Sequence, residues 1–132
     1  MWNSLIKRKV GSMGKPVDLK EFYEKLSIEG KLLYDQLEML IDKAQPDVCK
    51  MLFVSNPYFY LKKHEAIKPH HRPSIMLVFY KDHVNIFAEA NQKYESALNS
   101  YKLTDKYTLQ ISYDQLLLED VLVSIFKDSL KP

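Results

Sequence analysis

The stretch SIMLVFYKDHVNIFA, residues 74–88, decides the fold. Ser74 to Tyr80 is apolar at odd and even positions alike, the pattern of a strand covered on both faces in the middle of a sheet. Lys81 and Asp82 break the run, and from His83 to Ala88 the apolar Val84, Ile86 and Ala88 recur at every second position. Two strands joined by so short a polar step pair as an antiparallel hairpin, and the spacing puts the centre of a sheet here.

Toward the N-terminus, Met51 to Val54 and Tyr58 to Leu61 are short apolar or aromatic runs on either side of Ser55, Asn56 and Pro57, which is turn chemistry. Before them, Asp18 and Glu21 have the spacing of a cap for a first helix carrying Leu19, Phe22, Tyr23 and Leu26. Ser27 caps a second helix whose Leu33, Leu37, Leu40, Ile41 and Ala44 share one face, and Pro46 stops it. Toward the C-terminus, Gln92 to Tyr101 reads as a short helix and Tyr107 to Ser112 as another strand. Ser112 with Gln115 then reads as the capping box of a last helix, with Leu118, Val121, Leu122 and Ile125 as its core stripe and Asp120, Ser124 and Lys127 facing away. Helices, then strands, then a final helix predict an α+β fold: an antiparallel β-sheet with N-terminal and C-terminal helices packed on it.

A chain of 132 residues is long enough for one two-layer core, and residues 16–132 are expected to form a single domain behind a flexible basic tail, residues 1–15. That tail holds Lys7, Arg8, Lys9 and Lys15 without an acid, and lacks the apolar segment of a secretory signal. No stretch has the apolar length of a membrane span. Cys49 is the only cysteine, so no intrachain disulfide forms and a reducing, cytoplasmic setting is expected. Nineteen cations against seventeen acids give a net charge of +2, but the tail holds four of the cations, which leaves residues 16–132 at fifteen against seventeen, or −2. That sign lacks the general basic footprint of a nucleic-acid binder, and neither nucleic acid nor membrane is the expected partner.

Several short motifs fall in a characteristic order: Ala44, Pro46 and Asp47 after an amphipathic helix, Pro57 and Phe59 beside a short strand, and Lys81-Asp82-His83-Val84 in a hairpin. Tyr101-Lys102, Lys106 and Leu109-Gln110-Ile111 before the last helix complete the set. In this order they resemble the YdhG-like family over roughly residues 18–130. Two segments depart from it: Val54-Ser55-Asn56-Pro57, where the family typically has a Trp-Gly-Met-Pro-like turn, and Lys62 to Arg72, which is longer and more basic. The resemblance implies a compact α+β domain of frataxin-like α-β-α type, usually of unknown function, some members being described as intracellular iron chaperones. Iron is thus the metal it implies, handed to a protein acceptor.

Three constellations are candidates for that or other binding. Asp35, Glu38 and Asp42 lie three and four apart on the second helix, opposite its core face, and offer the hard oxygen ligands a metal ion needs; solvated acids in the same places are also what any amphipathic helix presents. His64, Glu65, His70 and His71 include enough imidazole for zinc, nickel or copper, but Lys62, Lys63, Lys68 and Arg72 share the segment and oppose a cation, so a mobile polar loop is expected there. Lys81, His83 and Lys106 would hold an anion such as phosphate or a carboxylate if they met at one end of the sheet; the plainer account has them bonding to turns.

Cys49 reads as a small core residue. Tyr58, Phe59, Tyr60, Phe79 and Tyr80 would stack bases only if their outward half shared a side with the basic loop. Gly11, Gly14 and Gly30 are the only glycines, none after a strand, and no Ser nucleophile elbow occurs, so an enzyme is not expected. The functional expectation is a non-enzymatic module for metal binding and delivery. Its alternative is an anion- or protein-binding adaptor built on Lys81, His83, Lys106 and the basic loop.

Overall fold

The computed structural model describes residues 15–132; the expected tail falls almost wholly outside them. Asp18 caps helix α1 (Leu19–Glu24) by accepting from the Glu21 amide at 2.9 Å, and Ser27 caps α2 (Ile28–Ala44) by accepting from Gly30 at 3.0 Å. Five strands follow in two hairpins and a return, with a two-residue sixth at the edge: β1 (Cys49–Phe53), β2 (Asn56–Tyr60), β3 (Ser74–Phe79), β4 (His83–Ala88), β5 (Lys102–Leu103) and β6 (Leu109–Ser112). They form one antiparallel sheet in the order β1-β2-β3-β4-β6-β5, closed by helix α3 (Glu119–Leu130). The fold is the α+β arrangement the periodicity predicts.

Alternation puts Phe59, Ile75, Leu77, Val84, Ile86, Leu109 and Ile111 on the inner face, all fully buried under α2 and α3. The helices answer with Leu37, Leu40 and Ile41 from α2 and Leu122, Ile125, Phe126 and Leu130 from α3. Each such side chain contributes about 1.5–3 kcal/mol on burial, which makes this face the main source of stability. Helix α1 is peripheral: it has no buried residue and docks through edge-on rings, Phe22 on Phe79 and Tyr23 on Tyr34.

Several local expectations need correction. β3 is central, yet only its inner face is closed; Ser74, Met76 and Val78 on the other face are half-buried. Ser112 and Gln115 do bond, amide to Oε1 at 2.8 Å, but they close a turn ahead of the helix. Helix α3 starts later, at Glu119, so Leu118 is exposed before it and the core stripe runs on to Phe126 and Leu130. The segment Glu89–Leu98 is 3-10 rather than α, broken at Tyr94 (φ −106°, ψ 20°). Cys49 begins an edge strand half-buried, outside the core.

The first hairpin turns at Val54-Ser55, one residue before the expected Ser-Asn-Pro, since Phe53 pairs directly with Asn56. Both turn residues are left-handed, φ 52° and 64°, as a two-residue hairpin of this twist requires. Pro57 fits in β2 because its register with β3 begins only at Tyr58, so its missing N–H costs no ladder bond. Valine is a poor choice for a left-handed position. The double change Val54→Asn, Ser55→Gly is expected to stabilise the protein by about 1–2 kcal/mol, read as a rise of about 3–6 °C in Tm. No rise would mean that the turn conformation is wrongly assigned.

Candidate functional site

The segment between β2 and β3 is no mobile loop. It begins as a 3-10 turn (Lys62–His64) and folds back over the outer face of β2. Tyr58 and Tyr60 point outward there, yet are 2% and 8% exposed because this strap covers them. The Tyr58 hydroxyl donates to the Pro69 carbonyl at 3.0 Å and the Tyr60 hydroxyl to Glu65 Oε2 at 3.3 Å. The Arg72 guanidinium carbon lies over the Tyr60 ring, 4.4 Å from its centroid, and Arg72 donates from Nε to Ile67 O and from Nη2 to Glu65 O. His70 packs edge-on against Phe53, and His64 Nε2 bonds the carbonyl of Lys131 at 2.9 Å. The strap is therefore pinned at both ends and its four candidate ligands are dispersed. The outward tyrosines are spent on the strap and offer no stacking face.

Where the strap rejoins the sheet it forms one wall of a cleft of about 450 Å³, lined by His70, His71, Arg72 and Ser74. Phe87 and Glu89 at the end of β4 form its floor, and Lys106, Tyr107 and Thr108 before β6 the other wall. Lys131, at the end of α3, completes it. Arg72 sits in a bend with Pro73, immediately before β3 begins at Ser74. Two of its five N–H groups bond to carbonyls. Lys131 is left-handed (φ 51°), which ends α3 and brings its ammonium to Glu89 Oε1 at 2.7 Å.

The Lys106 wall rests on a buried polar residue. Thr104 and Tyr107 close a tight turn, Tyr107 amide to Thr104 carbonyl at 2.8 Å, with Tyr107 left-handed (φ 63°) where glycine is usual. Asn91, fully buried, donates from Nδ2 to the Tyr107 carbonyl at 2.9 Å and to the Ile86 carbonyl at 3.1 Å. One side chain thus ties the turn carrying Lys106 to the end of β4.

The candidate Lys81, His83 and Lys106 are not brought together. His83 pairs with Ser112 at one end of β4, whereas Lys106 lies beyond Leu109, which pairs with Ile86 toward the other end. Five residues of strand, roughly 17 Å, separate the two ends. His83 is occupied by its turn: Nδ1 is 2.7 Å from Asp82 Oδ1, and the ring stacks on Tyr80 at 4.7 Å. That hydrogen bond holds the Asp82 carboxyl below its ordinary range. Lys81 lines a separate surface hollow with Glu29, Asp82 and Asp114, where acids outnumber it.

The carboxylate stripe of α2 is similarly committed. Asp35 accepts from the Tyr23 hydroxyl at 3.0 Å, Glu38 from Tyr34 at 3.3 Å, and Lys50 of β1 reaches Asp42 at 3.1 Å and Glu38 at 3.5 Å. Burial and the charge of Glu38 push the Tyr34 phenol far above its usual value, so it stays a donor. Among the described residues no group of three or more His, Cys, Asp or Glu is placed to hold a metal ion. No helix among them is long and apolar enough to cross a membrane.

The sequence reading therefore catches Arg72, His70, His71 and Lys106 but misses Lys131, Glu89 and Asn91. A lysine at the C-terminal cap of a helix normally answers the helix dipole, and nothing in its spacing links it to the strap. No family model, no curated protein and no solved structure matches the chain.

Proposed function

We propose that the domain is a binding module for an anion bearing a phosphate or carboxylate group, held in the cleft by Arg72, Lys106 and Lys131. One observation carries the reading: cations from three separate chain segments line one concavity whose only carboxylate among the described residues, Glu89, is already paired with Lys131. Arg72 supplies the planar fork suited to an oxyanion, and Lys106 and Lys131 supply point charges. His70 and His71 line the same wall and offer ring N–H donors beside Arg72. This keeps the adaptor expectation but moves its centre from Lys81 and His83 to the strap. Iron delivery through Asp35, Glu38 and Asp42 is the rival that the YdhG-like resemblance brings.

Calorimetry with inorganic phosphate and citrate at low salt tests both. Affinity is expected to fall with added salt and to drop about tenfold or more in Lys106→Gln/Lys131→Gln. Lys81→Gln, at the far end of the sheet, should bind as the parent does. Absence of anion binding, or binding indifferent to the cleft variant, defeats the proposal. Ferrous iron binding that vanishes in Asp35→Asn/Glu38→Gln/Asp42→Asn would put the metal reading in its place.

A further inference from the structure

The cleft does not end at Lys131. A second groove, of about 650 Å³, shares Glu89, Gln92 and Lys131 with it and continues around the C-terminal end of α3 past Lys127 and Lys93. Counting side chains, the two together carry five cations, Arg72 and Lys106 among them, against Glu89 and Asp128, a net +3 on a domain that is negative as a whole. Both acids are already paired, Glu89 with Lys131 and Asp128 with Lys93 at 2.9 Å, through side chains open enough to solvent for the lysines to exchange partners at small cost. A single phosphate would use only part of such a track. Phe87, on the floor of the cleft, has 39% of its surface exposed on the outer face of the sheet beside its register partner Met76. An exposed phenyl alone carries nothing. Next to a run of cations it supplies the other half of what a nucleotide chain presents, a flat π-face beside a charged backbone.

We infer that the ligand of this surface is single-stranded nucleic acid, its phosphodiester backbone following the cations from Arg72 to Lys93 and one base stacked on Phe87. A single strand is required because the stacked base must be splayed out of any duplex. The inference rests on the anion reading and deepens it, and the two fail separately.

Fluorescence anisotropy with labelled oligothymidine and oligouridine of about twelve residues decides it, run on the whole chain at about 50 and 200 mM salt. Binding is expected with a log–log salt slope of about −2, from about three phosphates neutralised at roughly 0.7 each. Phe87→Ala should weaken it about tenfold, while Phe87→Tyr keeps it. Lys93→Gln/Lys127→Gln, confined to the second groove, should likewise weaken the oligonucleotide alone. Equal competition by polyglutamate, or full oligonucleotide affinity in Phe87→Ala, overturns the inference. Phosphate binding without oligonucleotide binding overturns it too and leaves the anion reading standing; loss of both in the parent protein ends both.

Discussion

Asn91→Ala is expected to cost about 2–4 kcal/mol, among the largest effects of any polar substitution in this protein. The change removes two hydrogen bonds, to the Ile86 and Tyr107 carbonyls, from a side chain with no exposure at all. Each bond is worth about 1 kcal/mol, and a buried carbonyl left short of a donor adds about as much again, partly offset because the Asn91 Oδ1 that is also removed is buried without a partner. A further part of the loss comes from Tyr107, whose left-handed backbone is held in place by that contact. Urea unfolding should show the full deficit, and anion affinity should fall with it because the Lys106 turn loses its tie. Asn91→Asp should be worse than alanine, since a buried carboxylate would face two carbonyl oxygens. A deficit below about 1 kcal/mol would mean that water replaces the amide at little cost.

Arg72→Lys, nominally conservative, is expected to lower anion affinity about tenfold and stability by about 2 kcal/mol. A lysine cannot cover the Tyr60 ring with a flat cation, donate to Ile67 and Glu65 together and still present a fork to the cleft. Hydrogen exchange separates this from general unfolding: amides at the strap's own turns, such as Ile67 and His71, should exchange faster while those of β3 and β4 keep their protection. Uniform acceleration across the sheet would show that Arg72 supports the core rather than the strap.

The architecture was readable because its signals are local. The α2 stripe from Leu33 to Ala44, both N-terminal caps and the 74–88 hairpin each rest on residues within a few positions of one another, and all appear as expected. The last helix begins six residues later than the expected cap predicts, because Ser112 and Gln115 make the cap's characteristic bond without a helix behind them; Tyr113 to Leu118 intervene. The strap illustrates a deeper limit. Lys62, Lys63, Lys68 and Arg72 look like a solvated loop in composition, and only the outward direction of Tyr58 and Tyr60 on β2 gives them a surface to cover. Charge misleads for a related reason: a net −2 over residues 16–132 hides five lysine and arginine side chains gathered around the cleft and the end of α3.

The bond from His64 to the Lys131 carbonyl also sets an order in time. A ribosome delivers the strap, with Arg72, well before Lys131, so the emerging chain has nothing for His64 to hold and no far wall to its cleft. The contact that pins the strap to α3, and the last wall of the cleft, are thus completed only once the closing turn of α3 has been made.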